Sequence, residues 1–130
     1  MIVVDASALI EVFLRRPAAF AVERRIFQRE ETLHAPHLID VEVAHVIRRY
    51  AAVGEIDNHR ARAILAEMAD FPLTRYRPDV LLERIWQLRA NVTAYDGAYV
   101  ALAEILGAPL LTSDRRLAAS SGHQAWIELA

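Results

Sequence analysis

Apolar residues in this chain fall into two rhythms, brief unbroken runs and longer stretches with one apolar face. Runs of three to five, such as Ile2 to Val4, read as short buried strands. Stretches with apolar positions every three or four residues read as amphipathic helices. Taken in order, Ile2 to Val4 is a strand and Ser7 to Leu14 has helical spacing. Pro17 suits the start of a second helix running to about Arg29. Thr32 to Ala35 is a strand ended by Pro36. A helix follows from about His37 to Ala52, with Gly54 as its C-terminal cap. Asp57 or Asn58 caps the next, to about Ala69. Pro72 to Tyr76 is a strand flanked by prolines, and Asp79 to Ala90 is helical with Leu81, Leu82, Ile85 and Leu88 on one side. Tyr95 to Leu106 is a strong helix closed by Gly107. Pro109 to Thr112 is a strand, Arg115 to Ala119 a short helix and Gln124 to Glu128 a last strand.

Strands alternating with helices over short connections imply crossovers and a parallel sheet. The expected fold is therefore a three-layer α/β/α domain spanning residues 1–130, with a short, mostly parallel central sheet of about five strands. At 55% hydrophobic and 25% charged residues the composition is globular, with enough apolar mass for one core. The chain has no cysteine, which excludes disulfides, thiolate metal sites and a cysteine nucleophile. Its apolar runs fall far short of the ~18 residues that span a bilayer. The amino terminus lacks the pattern of a signal peptide, so the expected compartment is the cytoplasm.

Against this framework four acids stand out by position. Asp5 ends the first strand, Asp96 opens the helix after Thr93, and Asp114 follows the strand Pro109 to Thr112. Glu42 lies among Ile39, Val43, Val46 and Ile47 on a helix face that is otherwise apolar. Each has an ordinary structural reading. Asp5 can cap the following helix, Thr93 and Asp96 match the capping-box spacing, and Asp114 can cap or turn. Glu42 is harder to explain this way, because an unpaired carboxylate on an apolar face is costly and Arg48 and Arg49 lie too far along the helix to pair with it. Taken together the four make a stronger case. Strand carboxyl ends in an open α/β sheet converge on one edge, where ligands bind. Carboxylates gathered there repel unless a cation neutralises them. Oxygen-only ligation favours Mg²⁺ or Mn²⁺ over zinc.

The formal charge is −2, so with four clustered carboxylates set aside the remainder carries about +2. All fifteen basic residues are arginine, a side chain suited to bidentate phosphate contacts, although genome composition explains the bias equally well. The five histidines show no zinc-ligand spacing, and His45, three residues after Glu42, reads as a helix-surface or packing residue. Ser7 and Ser113 lack a nucleophile elbow, and the four glycines form no phosphate loop. Asp40 reads as solvated. Trp86 and Trp126 read as core or interface residues.

The blocks Val3-Val-Asp5-Ala-Ser-Ala-Leu, Ala35-Pro36 with Glu42 and Arg48-Arg49, Thr93-Ala-Tyr-Asp96 to Glu104, and Leu110-Leu-Thr-Ser-Asp114-Arg-Arg-Leu together resemble the PIN domain. More narrowly the chain resembles the VapC-type toxins of bacterial toxin–antitoxin pairs, along its whole length. Asp5, Glu42, Asp96 and Asp114 match the four acidic positions of that family. Relatives often carry asparagine where His45 stands, and some carry a further acid where Tyr99 stands. The resemblance implies a Mg²⁺-dependent endoribonuclease, with Mn²⁺ as a substitute, inhibited by a cognate antitoxin and usually a homodimer. Asp5 and Asp96 would bind the metal most directly; Glu42 and Asp114 would complete its shell, hold a second ion or orient the attacking water. Arg15, Arg16, Arg115 and Arg116 lie near the expected rim as candidate contacts to the RNA backbone. The first two helices, from Leu9 to Phe27, hold more apolar surface than one sheet face needs, a groove for a partner helix or ordinary burial.

Other readings compete. A phosphoacceptor receiver domain uses acids at strand ends but needs a lysine, which this chain lacks. A DxD-type phosphatase is disfavoured by Ser7 in place of the second acid. A PIN-type nuclease of RNA maturation, or a non-catalytic PIN-like binding module, are the alternatives that remain.

Overall fold

Five strands form one sheet in the order β3-β2-β1-β4-β5, and every neighbouring pair runs parallel. The computed structural model describes all 130 residues. Strand β1 (Ile2–Val4) is followed by α1 (Ala6–Phe13) and α2 (Ala19–Ile26). Then come β2 (Leu33–Pro36), α3 (Leu38–Ala52), α4 (Asn58–Asp70) and β3 (Leu73–Tyr76). A 3₁₀ turn over Pro78–Leu81 leads into α5 (Leu82–Gln87), and α6 (Ala94–Leu106), β4 (Leu110–Thr112), α7 (Arg115–Ala118) and β5 (Ile127–Leu129) complete the chain.

The sheet grows from β1 towards β2 and β3, then the chain crosses back to β4 on the other side of β1 and continues to β5. Right-handed crossovers leaving in opposite directions place their helices on opposite faces. Helices α1 to α4 accordingly pack on one another as one layer, while α6 lies across β1, β2 and β4 with α5 against it. Strand β1, fully buried as Ile2, Val3 and Val4, is the centre of the core. Between β1 and β4 the connections part, and that crevice at the strand carboxyl ends is the switch point where open α/β sheets bind ligands.

Local chemistry sets the element ends. Asp57 caps α4 by accepting from the Arg60 amide at 2.7 Å. Gly107 stops α6 at φ +60, a left-handed conformation that favours glycine, and the Ala108 amide closes the turn onto the Ala103 carbonyl. The second helix is shorter than the expected Pro17-to-Arg29 span. Arg15 turns at φ 55, and Glu11 of α1 accepts the Ala18 amide, so the connection is used up before α2 begins. The expected helix from Asp79 to Ala90 breaks into the 3₁₀ turn and the short α5. Leu81 and Leu88 are buried, but Leu82 faces solvent, so the apolar side is narrower than its leucines suggested. The last strand lies at Ile127–Leu129, a little beyond Gln124 to Glu128.

One polar assignment is corrected, and two aromatic ones are narrowed. Asp40 is not simply solvated: Arg75 on β3 donates to both its oxygens, at 2.8 and 2.9 Å, and to the carbonyls of Met68 and Leu73. Its side chain thereby ties the edge strand to α3 and α4. Buried His34 is satisfied on both ring nitrogens by Tyr76 and Thr32, a structural role. Trp86 and Trp126, 67% and 74% exposed, are not core residues; Arg89 stacks on the Trp86 ring at 4.3 Å.

Candidate active site

The carboxyl end of β1 delivers Asp5 into the crevice beside β4, and the residue after β4 and its turn is Asp114. Asp96 enters from the first turn of α6 and Glu42 from the second turn of α3. The four acids line one cleft of about 610 Å³ with Ser7, Ile10, Val41, His45, Val46 and Tyr95. They come from four different elements, and none has an arginine or histidine within ion-pairing distance, although other acids of the chain do.

Asp5 is buried at the N-cap position of α1, but its side chain makes no capping bond. Its Oδ2 accepts two hydroxyl protons, from Ser7 Oγ and from Thr112 Oγ1, each at 2.7 Å. Those hydroxyls are oriented in turn. Ser7 accepts from the Ser113 amide at 3.0 Å and Thr112 from the Asp114 amide at 3.0 Å. One oxygen is thus locked, and Oδ1 has no hydroxyl partner. Burial raises the Asp5 pKa; the two hydroxyls work against it and the Asp114 charge adds to it.

Asp114 does cap a helix. Its Oδ1 accepts from the Arg116 amide at 2.8 Å and the Leu117 amide at 3.4 Å, which fixes the carboxylate at the mouth of the cleft. The capping box at Asp96 is half formed: Thr93 accepts the Asp96 amide at 3.1 Å, but the Asp96 carboxylate does not return to the Thr93 amide. It faces the cleft, its pKa raised by burial and then by the charges of Asp5 and Asp114. Glu42 finds its partner across the structure, where Tyr99 Oη donates to Oε1 at 2.6 Å. Burial, with Asp5 and Asp96 as lesser causes, pushes Glu42 up to about 7 against that hydrogen bond.

Perturbed carboxylates facing each other in a cleft mark a site that gains from a cation. No three of them close into a ready-made ligand cage. The oxygen-only donor set of the cleft suits a hard cation such as Mg²⁺, which keeps several waters and is held directly by one or two carboxylates. It does not fit a closed zinc site, which needs nitrogen or sulfur ligands.

The comparisons agree with the geometry. The PIN domain profile matches residues 2–121. Ribonuclease VapC12 of Mycobacterium tuberculosis is 47% identical over 129 residues, 99% of this chain and 98% of that protein. This chain is a VapC-type PIN domain. Its fold superposes on the crystal structure of PAE2754 from Pyrobaculum aerophilum with a TM-score of 0.73, 27% identity and 97% and 81% of the two chains covered. VapBC2 from Rickettsia felis, crystallised with a DNA fragment from its promoter, shares the fold at a TM-score of 0.73 and 11% identity, covering 100% and 99%.

This PIN domain brings the four expected acids together but treats the four arginines unequally. Arg116 lines a groove that also holds Asp96, so it borders the site. Arg16 lies in an adjoining groove, paired to Glu11 at 3.2 Å and touching Tyr50. Arg15 lines a different groove on α1 and α2 and faces Glu23. Arg115 is exposed and borders none of these grooves. His45 is exposed and lines the acidic cleft, so its surface position is also a site position. Ser7, Thr112, Tyr99 and Tyr95 are site residues that residue spacing did not single out. For the first two the available signal was a hydroxyl two residues from an acid at a strand end. Tyr95, 65% exposed at the mouth, had only its place beside Asp96.

Proposed function

We propose that this chain, as one domain over its full length, is a Mg²⁺-dependent endoribonuclease and the toxin of a toxin–antitoxin pair. It would hydrolyse RNA phosphodiester bonds in the cytoplasm, with Mn²⁺ able to substitute. One observation carries the proposal: four carboxylates from four elements face a single cleft at the switch point, and none of them is ion-paired. Identity of 47% to a ribonuclease over nearly the full length of both chains supports the substrate class.

Asp5 and Asp96 would hold the ion; Asp5 Oδ2 accepts from two hydroxyls, which leaves Oδ1 without a hydroxyl partner. A divalent ion there would supply charge neutralisation at the phosphate and a more acidic water for in-line attack. Asp114, fixed by its capping bonds, completes the acidic wall. Glu42, about 7 in the metal-free protein, is suited to orient the attacking water and receive its proton. Arg116 beside Asp96 and Arg16 in the adjoining groove would grip the phosphates on either side.

The cognate antitoxin would occupy the groove of about 490 Å³ between α1, α2 and α4, lined by Val12, Phe13, Phe27 and Phe71. Phe20 and Phe27, expected to supply surplus apolar area, are 70% and 60% exposed, and Phe27 lines that groove. A homodimer is the assembly that the VapC type implies.

The test is cleavage of a panel of structured RNAs by purified, antitoxin-free protein with Mg²⁺, with Mn²⁺ and with EDTA, beside Asp5→Asn. Metal-dependent cleavage that falls at least about a hundredfold in the variant is expected, since each 1.4 kcal/mol of lost charge stabilisation is tenfold in rate. Cleavage that survives EDTA or the substitution, or no cleavage of any RNA, overturns the proposal.

A further inference from the structure

Tyr99 sits one helical turn after Asp96 on α6, so the two side chains leave the same face of that helix. Asp96 reaches the cleft; Tyr99 is 0% exposed. Its ring belongs to the core, yet its hydroxyl meets a carboxylate from α3, fifty-seven residues away in sequence, at 2.6 Å. That bond is the single side-chain hydrogen bond made to Glu42, and it engages Oε1 alone. Oε2 is left with no protein donor.

Two accounts of this pair differ in what they predict. In the first, the ring fills the core and Glu42 merely satisfies a buried hydroxyl. In the second, the hydroxyl serves the carboxylate. Four features of the site favour the second. Glu42 stands on an apolar helix face with no arginine near, so without the phenol its rotamer has no restraint from the protein. Asp5 shows a similar construction, with both hydroxyl donors on one oxygen and none on the other. Asp114 repeats it, with Oδ1 tied by backbone amides. A phenol, unlike an arginine, ties an oxygen without bringing in a positive charge that would compete with a metal ion.

Resting on the reading of the cleft as a divalent-metal nuclease site, we infer that Tyr99 is a positioning residue, holding Glu42 Oε1 so that Oε2 is presented to the metal and its water. Donors of this outer kind orient metal ligands, and their loss typically weakens metal affinity or activity about 10- to 100-fold. Tyr99 touches neither RNA nor metal, and it acts only through Glu42.

The experiment is Mn²⁺ binding by calorimetry to the full-length, antitoxin-free protein. It compares wild type, Asp5→Asn, Tyr99→Phe, Glu42→Gln and the Tyr99→Phe/Glu42→Gln pair, with melts and RNA cleavage on the same samples. Phenylalanine keeps the ring and removes only the hydroxyl. The expected result is an Mn²⁺ Kd about tenfold or more weaker in Tyr99→Phe, with kcat reduced and KM for RNA unchanged. In the Glu42→Gln background the same substitution should change the Kd less than about twofold, because the ligand it serves is already altered. Wild-type affinity in Tyr99→Phe overturns the inference, with the nuclease reading intact if Asp5→Asn has lost both binding and cleavage. An equal loss in both backgrounds also overturns it, since the hydroxyl would then act by loosening the core. If Asp5→Asn binds and cleaves like wild type, the metal-site reading fails and the inference with it.

Discussion

Glu42→Gln tests the electrostatics of the cleft without any substrate. Glu42 titrates near 7 in the folded, metal-free chain against an ordinary value of 4.5. The folded state therefore binds a proton more tightly than the unfolded one. Stability that Glu42 contributes is full below pH 4.5, declines as pH rises, and is gone above about 7. The gap of about 2.5 pH units corresponds to roughly 3.4 kcal/mol at the ceiling of 1.36 kcal/mol per unit. Glu42 is only half-buried, and water at the cleft mouth screens it, so about 1–2 kcal/mol is the working magnitude. Glutamine keeps an oxygen for the Tyr99 hydroxyl but never ionises. In EDTA, Glu42→Gln should therefore melt about 4–8 °C above wild type at pH 8 and match it near pH 4.5, taking about 4 °C per kcal/mol for a chain of this size. The assay is a series of melts between pH 4.5 and 9 on both proteins, read as a difference so that acids outside the cleft cancel. Adding Mg²⁺ at pH 8 should raise wild type more than the variant and narrow the gap. A difference that stays flat with pH, or a variant that melts below wild type at pH 8, would refute the claim that Glu42 is held in a repelling, half-dry cluster.

Asp5→Ala should behave differently from Asp5→Asn: removing the acceptor leaves the Ser7 and Thr112 hydroxyls only each other, at 3.1 Å, so one proton loses its acceptor at a cost of about 1–3 kcal/mol, whereas asparagine still offers an oxygen and melts near or above wild type. Urea denaturation of the pair reads this, and equal stability would refute the hydroxyl network. Arg116→Ala should weaken RNA binding and lower the slope of log K against log salt by about 1, while Mn²⁺ binding is kept and is if anything tighter, because a positive charge beside Asp96 is gone; loss of Mn²⁺ binding would contradict this placement. Arg75→Ala should cost about 2 kcal/mol by freeing β3 from Asp40, and Arg75→Lys should not restore it, because an ammonium cannot reproduce the two-pronged contact. Denaturant midpoints of the two variants decide this, and a lysine variant equal to wild type would contradict it.

Much of this PIN domain was legible along the chain, because the signals concerned are local. Strand and helix identity follow from apolar period, and Gly54, Asp57 and Gly107 act at element ends within a few residues of where they stand. The candidate acids were legible for the same reason: each is out of place with its own neighbours. Whether Asp5 caps or serves the cleft was not, since the same sequence permits both and the choice lies with Thr112, one hundred and seven residues on. Strand order is equally nonlocal. It places β4 rather than β2 across the crevice, and so brings Asp114 to Asp5. The arginines diverged because exposed side chains follow the charges they find: Arg15 turned to Glu23 and Arg116 remained beside Asp96. Tyr99 shows the division most sharply. Its sequence context makes it a core residue of a buried helix. Only the packing of α6 across the sheet brings its hydroxyl to Glu42, because hydrogen-bond partners are chosen by proximity in space, which no local pattern encodes.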